Sequence, residues 1–265
     1  MVHDVDGARF AWREAGDGSL VVLLHGLGGS RLSWEPQLAG LSDGWRVAAW
    51  DMPGYGNSAP IDADRVTFRA LAQAAADWIE ALGEAAAHVV GISMGGMVAQ
   101  YLAAWHPDRV RSLTLLATSP RFGMDGTQPD EWRAARLAPL DAGQEPIDFA
   151  ERVLRSLAGP HLSDEAFEDQ RAAMARVTGV ALRRSIECLV THDTTELLAD
   201  IRQPTLVLVG ALDRETPPAY SKHLADHLPN ALLRVIDEAG HLLNVEAPER
   251  ANELIIEHLT SVETT

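Results

Sequence analysis

The chain is poor in cysteine, in lysine and in long apolar runs, and each shortage excludes something. A single cysteine, Cys188, among 265 residues rules out an internal disulfide. Its neighbours Ile186, Leu189 and Val190 suit an inert buried thiol better than a reactive thiolate. Lys222 is the only lysine, so nearly all positive charge is arginine, and 22 basic against 38 acidic residues leave a net charge of −16. A field of that sign repels phosphate, so neither nucleic acid nor an anionic membrane surface is expected as a partner. An anionic small substrate stays open, because one well-placed arginine acts within a Debye length of roughly 8 Å. No apolar run approaches the roughly 18 residues that a membrane span needs. Met1-Val2-His3-Asp4-Val5-Asp6 carries neither the basic segment nor the apolar core of a signal peptide, which points to the cytoplasm. No repeat period or low-complexity tract is visible either.

What is present is the composition of a globular protein, 46% hydrophobic and 23% charged, long enough to bury a core around a rigid site. The first half alternates short apolar runs with longer helical patterns. Leu20 to Leu24 is a continuous apolar run closing on His25-Gly26, as in a buried strand of a parallel sheet. Trp45 to Trp50, His88 to Ile92 and Leu113 to Leu116 read the same way. Helical spacing covers Phe68 to Leu82, with Gly83 as its C-cap, and Met94 to about Trp105. This rhythm predicts an α/β fold with a mostly parallel sheet flanked by helices.

The rhythm stops near Thr118. As far as about Leu198 only helix-like segments occur, near 131–137, 147–157, 164–177 and 180–190. Strand patterns resume at Pro204 to Gly210 and at Leu232 to Ile236, and a last helix covers about Glu249 to Leu259. The expectation is therefore a core of residues 1–118 and 199–265 with a helical cap, residues 119–198, inserted between strands. Such an insertion over the carboxyl ends of the strands is well placed to be a lid.

Gly91-Ile92-Ser93-Met94-Gly95 is a G-x-S-x-G pentapeptide lying between a strand and a helix, the setting of a nucleophile elbow. The glycines are needed because so tight a turn would bring side chains two positions either side of the serine into collision. Serine is a poor nucleophile without a base. In this order of elements an acid and then a histidine should follow. Of the downstream histidines only His241, in Glu238-Ala239-Gly240-His241, falls in a loop between the last strand and the last helix. His223 and His227 lie one turn apart on a helix with no third metal ligand in the pattern. Asp213, just beyond the strand ending at Gly210, is the expected acid. Glu215 is its nearest rival, with Asp237 and Glu238 behind, and the slot after the earlier strand, Ala117-Thr118-Ser119, holds no carboxylate. Backbone N–H groups of Met94 and of Leu27, in the glycine-rich His25-Gly26-Leu27-Gly28-Gly29, are the expected oxyanion donors.

These pieces, with Asp51-Met52-Pro53-Gly54-Tyr55-Gly56-Asn57-Ser58, resemble the α/β-hydrolase superfamily over essentially the whole chain. Within it the sequence is most similar to 3-oxoadipate enol-lactonases and their serine-esterase relatives. That similarity is carried by His25-Gly26-Leu27-Gly28 with Trp34, by Gly91 to Gln100, by Thr216-Pro217-Pro218 and by His241 to Glu246. One loop departs: where enol-lactonases usually carry an arginine and a histidine, Asp51 to Gly56 looks like general esterases and dehalogenases. The resemblance implies a cofactor-free and metal-free hydrolase of small carboxylic esters or lactones, with Ser93, Asp213 and His241 catalytic. Trp34, Arg121, Trp132 and Arg133 are the candidate substrate-binding residues. A carbon–carbon bond hydrolase, a perhydrolase or haloperoxidase, and a small-molecule receptor on the same scaffold are the alternatives. The oligomeric state is left open.

Overall fold

Alternation along the central strands sets the layering. In the computed structural model, which describes residues 1–62 and 65–264, Leu20–Leu24 is buried along its whole length. Successive strand side chains point to opposite faces. Leu20, Val22 and Leu24 enter one apolar core, and Val21 and Leu23 enter a second. Val89 and Val90 divide the same way, as do Val207 and its neighbours Leu206 and Leu208. A sheet that is apolar on both faces must be covered on both. Each fully buried Leu or Val contributes about 1.5–3 kcal/mol.

The strands are β1 (His3–Asp6), β2 (Ala11–Ala15), β3 (Leu20–Leu24), β4 (Arg46–Trp50), β5 (Ala87–Ile92), β6 (Val110–Leu116), β7 (Thr205–Gly210) and β8 (Ala231–Ile236). They form one sheet in the order β1-β2-β4-β3-β5-β6-β7-β8. The pairs β1–β2 and β2–β4 are antiparallel and the rest are parallel. The helices are α1 (Glu35–Leu41), α2 (Phe68–Ala81), α3 (Met94–Trp105), α4 (Pro129–Asp141), α5 (Pro146–Leu157), α6 (Asp164–Met174), α7 (Gly179–Leu189), α8 (Pro218–His227), α9 (Leu243–Glu246) and α10 (Pro248–Glu263). Leu71 and Trp78 of α2, Val98 and Leu102 of α3 and Leu224 of α8 fill the first core. Leu38 and Leu41 of α1 and Leu254, Ile255 and Leu259 of α10 fill the second. Helix α2 starts where the Thr67 hydroxyl accepts from the Ala70 N–H (3.2 Å), and it stops at Gly83, whose φ is 86°.

This is the expected doubly covered, mostly parallel sheet, with α4 to α7 between β6 and β7 as the sequence predicts. Strands β1 and β2 and helices α1 and α9 have no counterpart in the sequence pattern. The two connections of the four-helix segment are clasped together: the Phe122 N–H donates to the His192 carbonyl (2.9 Å) and the Thr194 N–H to that of Pro120 (2.7 Å). Strand order reverses about β3, which lies between β4 and β5. The crevice outside the carboxyl ends of β3 and β5 is thus where a ligand site is expected. No helix among the described residues is long and apolar enough to cross a membrane.

Candidate active site

Ser93 sits between β5 and α3 with φ 53° and ψ −121°. A non-glycine residue there costs on the order of 1–3 kcal/mol and persists only if its surroundings hold it. The Ser93 N–H donates to the Leu116 carbonyl (2.9 Å), and the Ser93 carbonyl accepts from the Met97 N–H (3.0 Å) and the Thr118 hydroxyl (2.8 Å). The glycines two positions either side make the turn possible. A Cβ on Gly91 would lie 2.5 Å from the Gly95 carbonyl oxygen, and one on Gly95 would lie 2.6 Å from that of His25. Gly26 is packed as tightly from the other side, where a Cβ would come within 3.1 Å of the Ser93 Cβ.

Asp213 lies three residues past β7 and is buried. Its Oδ1 accepts from the Glu215 and Thr216 N–H groups (both 2.9 Å), and its Oδ2 accepts from the Thr216 hydroxyl (2.8 Å). Oδ2 and Oδ1 also stand 2.9 and 3.1 Å from Nδ1 of His241. Burial pushes the Asp213 carboxyl up. The His241 charge and the hydrogen bonds it accepts more than offset this, and its pKa lies below the ordinary value. His241, in the loop after β8, is buried too. Burial alone would lower its pKa, but Asp213, helped by Glu215 and Glu246, raises it above the ordinary value. With Nδ1–H given to Asp213, Nε2 is left as the basic nitrogen.

Ser93 and His241 line one cavity of about 360 Å³, and His241 is the only histidine on its wall among the described residues. Gly26 to Gly29, leaving β3, form another part of that wall, with Leu27 among them. The loop is fixed by His25: the Met52 N–H donates to Nε2 (2.9 Å), so Nδ1 carries the proton and gives it to the Gly26 carbonyl (2.9 Å). Burial lowers the pKa of His25, and the ring stacks on Tyr55 at 5.4 Å. Met94 is buried and is the first residue of α3, where helical N–H groups have no partner within the helix and favour negative charge. The remaining wall is largely apolar, from Phe149 and Leu154 of α5, Met174 of α6 and Leu182 and Ile186 of α7.

The other candidates divide. Trp132 lines the cavity, edge-on to Phe122 at 5.3 Å, and the Arg136 guanidinium lies 5.0 Å above its ring. Arg121 also lines the cavity and forms no ion pair among the described residues. Trp34 is not among the cavity's lining residues; its side chain is buried within the second core, which also holds Leu38 and Val21. Arg133 pairs with Asp130 (2.8 Å) and Glu187 (3.7 Å), while Arg136, three residues on, lines the cavity. The rival acid Glu215 is bound to Arg136 at 2.8 and 3.0 Å, and Glu238 to His161 at 3.2 Å. His223 and His227 stack on each other at 4.0 Å on α8.

Sequence reasoning gave no role to two residues of this neighbourhood. The Thr216 hydroxyl lies within 2.8 Å of Asp213 and 3.3 Å of His241 Nδ1. The Asp-x-x-Thr spacing, an aspartate that can accept from N–H groups two and three residues on, was the available signal. Glu246 accepts from backbone N–H groups on both sides of His241.

A family profile described as alpha/beta hydrolase fold matches residues 19–248. A pimeloyl-[acyl-carrier protein] methyl ester esterase of Neisseria meningitidis serogroup B is 35% identical over 227 residues, covering 83% of this chain and 85% of its own. Among solved structures, a thermophilic esterase from Thermogutta terrifontis superposes with a TM-score of 0.86 at 29% identity, covering 99% of both chains. An enol-lactonase from Burkholderia xenovorans LB400 superposes with a TM-score of 0.85 over 97% of this chain and 100% of its own; at 24% identity it shares the fold. Sheet order, the turn at Ser93 and these similarities lead to one statement: the chain belongs to the α/β-hydrolase fold family.

Proposed function

We propose that this protein is a serine hydrolase cleaving carboxylic esters, lactones included, through an acyl-enzyme. The observation that carries the reading is the strained Ser93 sharing a cavity with an imidazole that a buried aspartate holds by Nδ1. In this mechanism Ser93 Oγ attacks the carbonyl carbon while its proton passes to His241 Nε2. The oxyanion that develops is bound by the Leu27 and Met94 N–H groups. Collapse of the tetrahedral intermediate expels the alcohol oxygen, which takes the proton from Nε2. Water, deprotonated by the same nitrogen, then frees the acid and restores Ser93. Asp213 fixes the tautomer and stabilises the imidazolium without itself taking the proton.

The His241 pKa, raised above its ordinary value, sets the pH dependence: the base works only when neutral, so kcat/KM rises with pH through a value above about 6.5. Residues 119–198 act as a cap over residues 1–118 and 199–265. Substrate choice falls to the cavity wall, with Trp132 packing on the substrate and Arg121 meeting an anionic group. The esterase names of relatives support ester chemistry. The test is Ser93→Ala, assayed with p-nitrophenyl acetate and an enol-lactone. The variant is expected to fold with unchanged circular dichroism and to lose nearly all turnover of both, and retained turnover would overturn the mechanism.

A further inference from the structure

The Glu246 side chain is buried, yet its carboxylate forms no ion pair among the described residues. Its partners are backbone donors. Oε2 accepts from the Gly240 N–H at 2.9 Å and from the Gly159 N–H at 2.7 Å, and Oε1 accepts from the Leu242 N–H at 3.0 Å. Gly240 and Leu242 flank His241 directly. Gly159 lies just past α5, and the His241 N–H itself donates to the Leu157 carbonyl at that helix end (3.0 Å). Burying a carboxylate is costly unless charge-assisted hydrogen bonds compensate, and here three donors converge on it.

We propose that Glu246 is a positioning residue for His241, clamping both sides of the base loop and tying that loop to the end of α5. The assignment rests on His241 being the base. Four hydrogen bonds then hold the imidazole's backbone against a helix that contributes Phe149, Val153, Leu154 and Leu157 to the cavity wall. Substrate packed on α5 is thereby felt at the base. The charge has a second consequence. The charged groups that act most strongly on His241 are Asp213, Glu215 and Glu246, and all three raise its pKa; Arg136 and Arg214 share the cavity wall. Glu215 is engaged by Arg136. Glutamine in place of Glu246 removes one negative charge and turns an N–H donor toward a backbone N–H.

The experiment compares Glu246→Gln and Glu246→Asp with wild type and with His241→Ala, by kcat and KM for p-nitrophenyl acetate between pH 5 and 9 and by thermal unfolding. Glu246→Gln is expected to lose roughly 10- to 100-fold in kcat, the scale of a displaced catalytic group, with KM little changed. The acid limb of its kcat/KM profile moves to lower pH. Glu246→Asp, which keeps the charge but shortens the reach, keeps the wild-type acid limb and loses kcat. A merely structural carboxylate would lower the melting temperature and leave the acid limb in place. A folded Glu246→Gln with wild-type kcat and acid limb would overturn the proposal. Should that variant not fold, Glu246→Asp with wild-type kcat would overturn it as well. Activity surviving in His241→Ala would instead sink the choice of base.

Discussion

Asparagine at position 213 changes one charge and almost no volume, so its consequences can be followed atom by atom. Oδ1 of Asp213 accepts from two backbone N–H groups, so the asparagine carbonyl oxygen stays there and the NH2 takes the place of Oδ2. That NH2 faces the Thr216 hydroxyl, which can turn and accept, and His241 Nδ1 at 2.9 Å, which must now accept as well. The imidazole proton moves to Nε2, and the lone pair meant for the Ser93 proton is lost. In serine proteases the equivalent change costs about 10⁴-fold in kcat, or about 5 kcal/mol, and a similar loss is expected here. Without the carboxylate, burial dominates the titration of His241, so the acid limb of kcat/KM moves to lower pH as the plateau falls. The assay is kcat/KM for p-nitrophenyl acetate against pH, with thermal unfolding to show that the fold persists. A folded Asp213→Asn within tenfold of wild type, or with its acid limb unmoved, would refute the reasoning.

Two further substitutions test the frame around the site. Gly95→Ala drives a methyl into the Leu24 carbonyl oxygen and to 2.6 Å from that of His25, both backbone atoms, and overpacking of this kind costs at least roughly 1–3 kcal/mol. A lower melting temperature and a loss of turnover should appear together, and a variant unchanged in both would contradict the packing account. His192 is buried, and burial pulls its pKa to about 4, against about 6.5 for an unfolded histidine. The unfolded chain therefore takes the proton first. Stability held above pH 6.5 is lost as pH falls toward 4, by on the order of 3 kcal/mol from this group. Urea midpoints at pH 7 and pH 4.5 measure the loss; it should shrink in His192→Gln, and an equal loss in that variant would be contrary evidence.

How much of this was legible in the sequence varied with the kind of signal. Strands β3 and β5 are apolar throughout and announce themselves. Strand β1 exposes most of its residues, and β2 carries Arg13 and Glu14, which pair with Asp4 and Arg46. Their place comes from pairing across the sheet, which a local pattern does not record. The positions of Ser93, Asp213 and His241 after β5, β7 and β8 were readable because each follows an apolar strand in its turn. The burial of Trp34 in the second core was not legible, because a tryptophan beneath the sheet and one at a pocket differ in direction, not in neighbouring sequence. Arg133 and Arg136 sit one helical turn apart, and the phase of α4 against the cavity decides which one reaches it. Two donors of Glu246, Gly240 and Leu242, lie within six residues of it, but the third, Gly159, is 87 residues away, so its tie to α5 could not be read locally.

The most direct test of the central claim is covalent labelling with a fluorophosphonate followed by intact-mass and peptide analysis. One adduct per chain is expected, on Ser93, formed at a rate that rises with pH as His241 loses its proton. The adduct should be lost in Ser93→Ala and should form slowly in Asp213→Asn. A protein that hydrolyses esters while Ser93 stays unlabelled, or that labels elsewhere, would contradict the central claim.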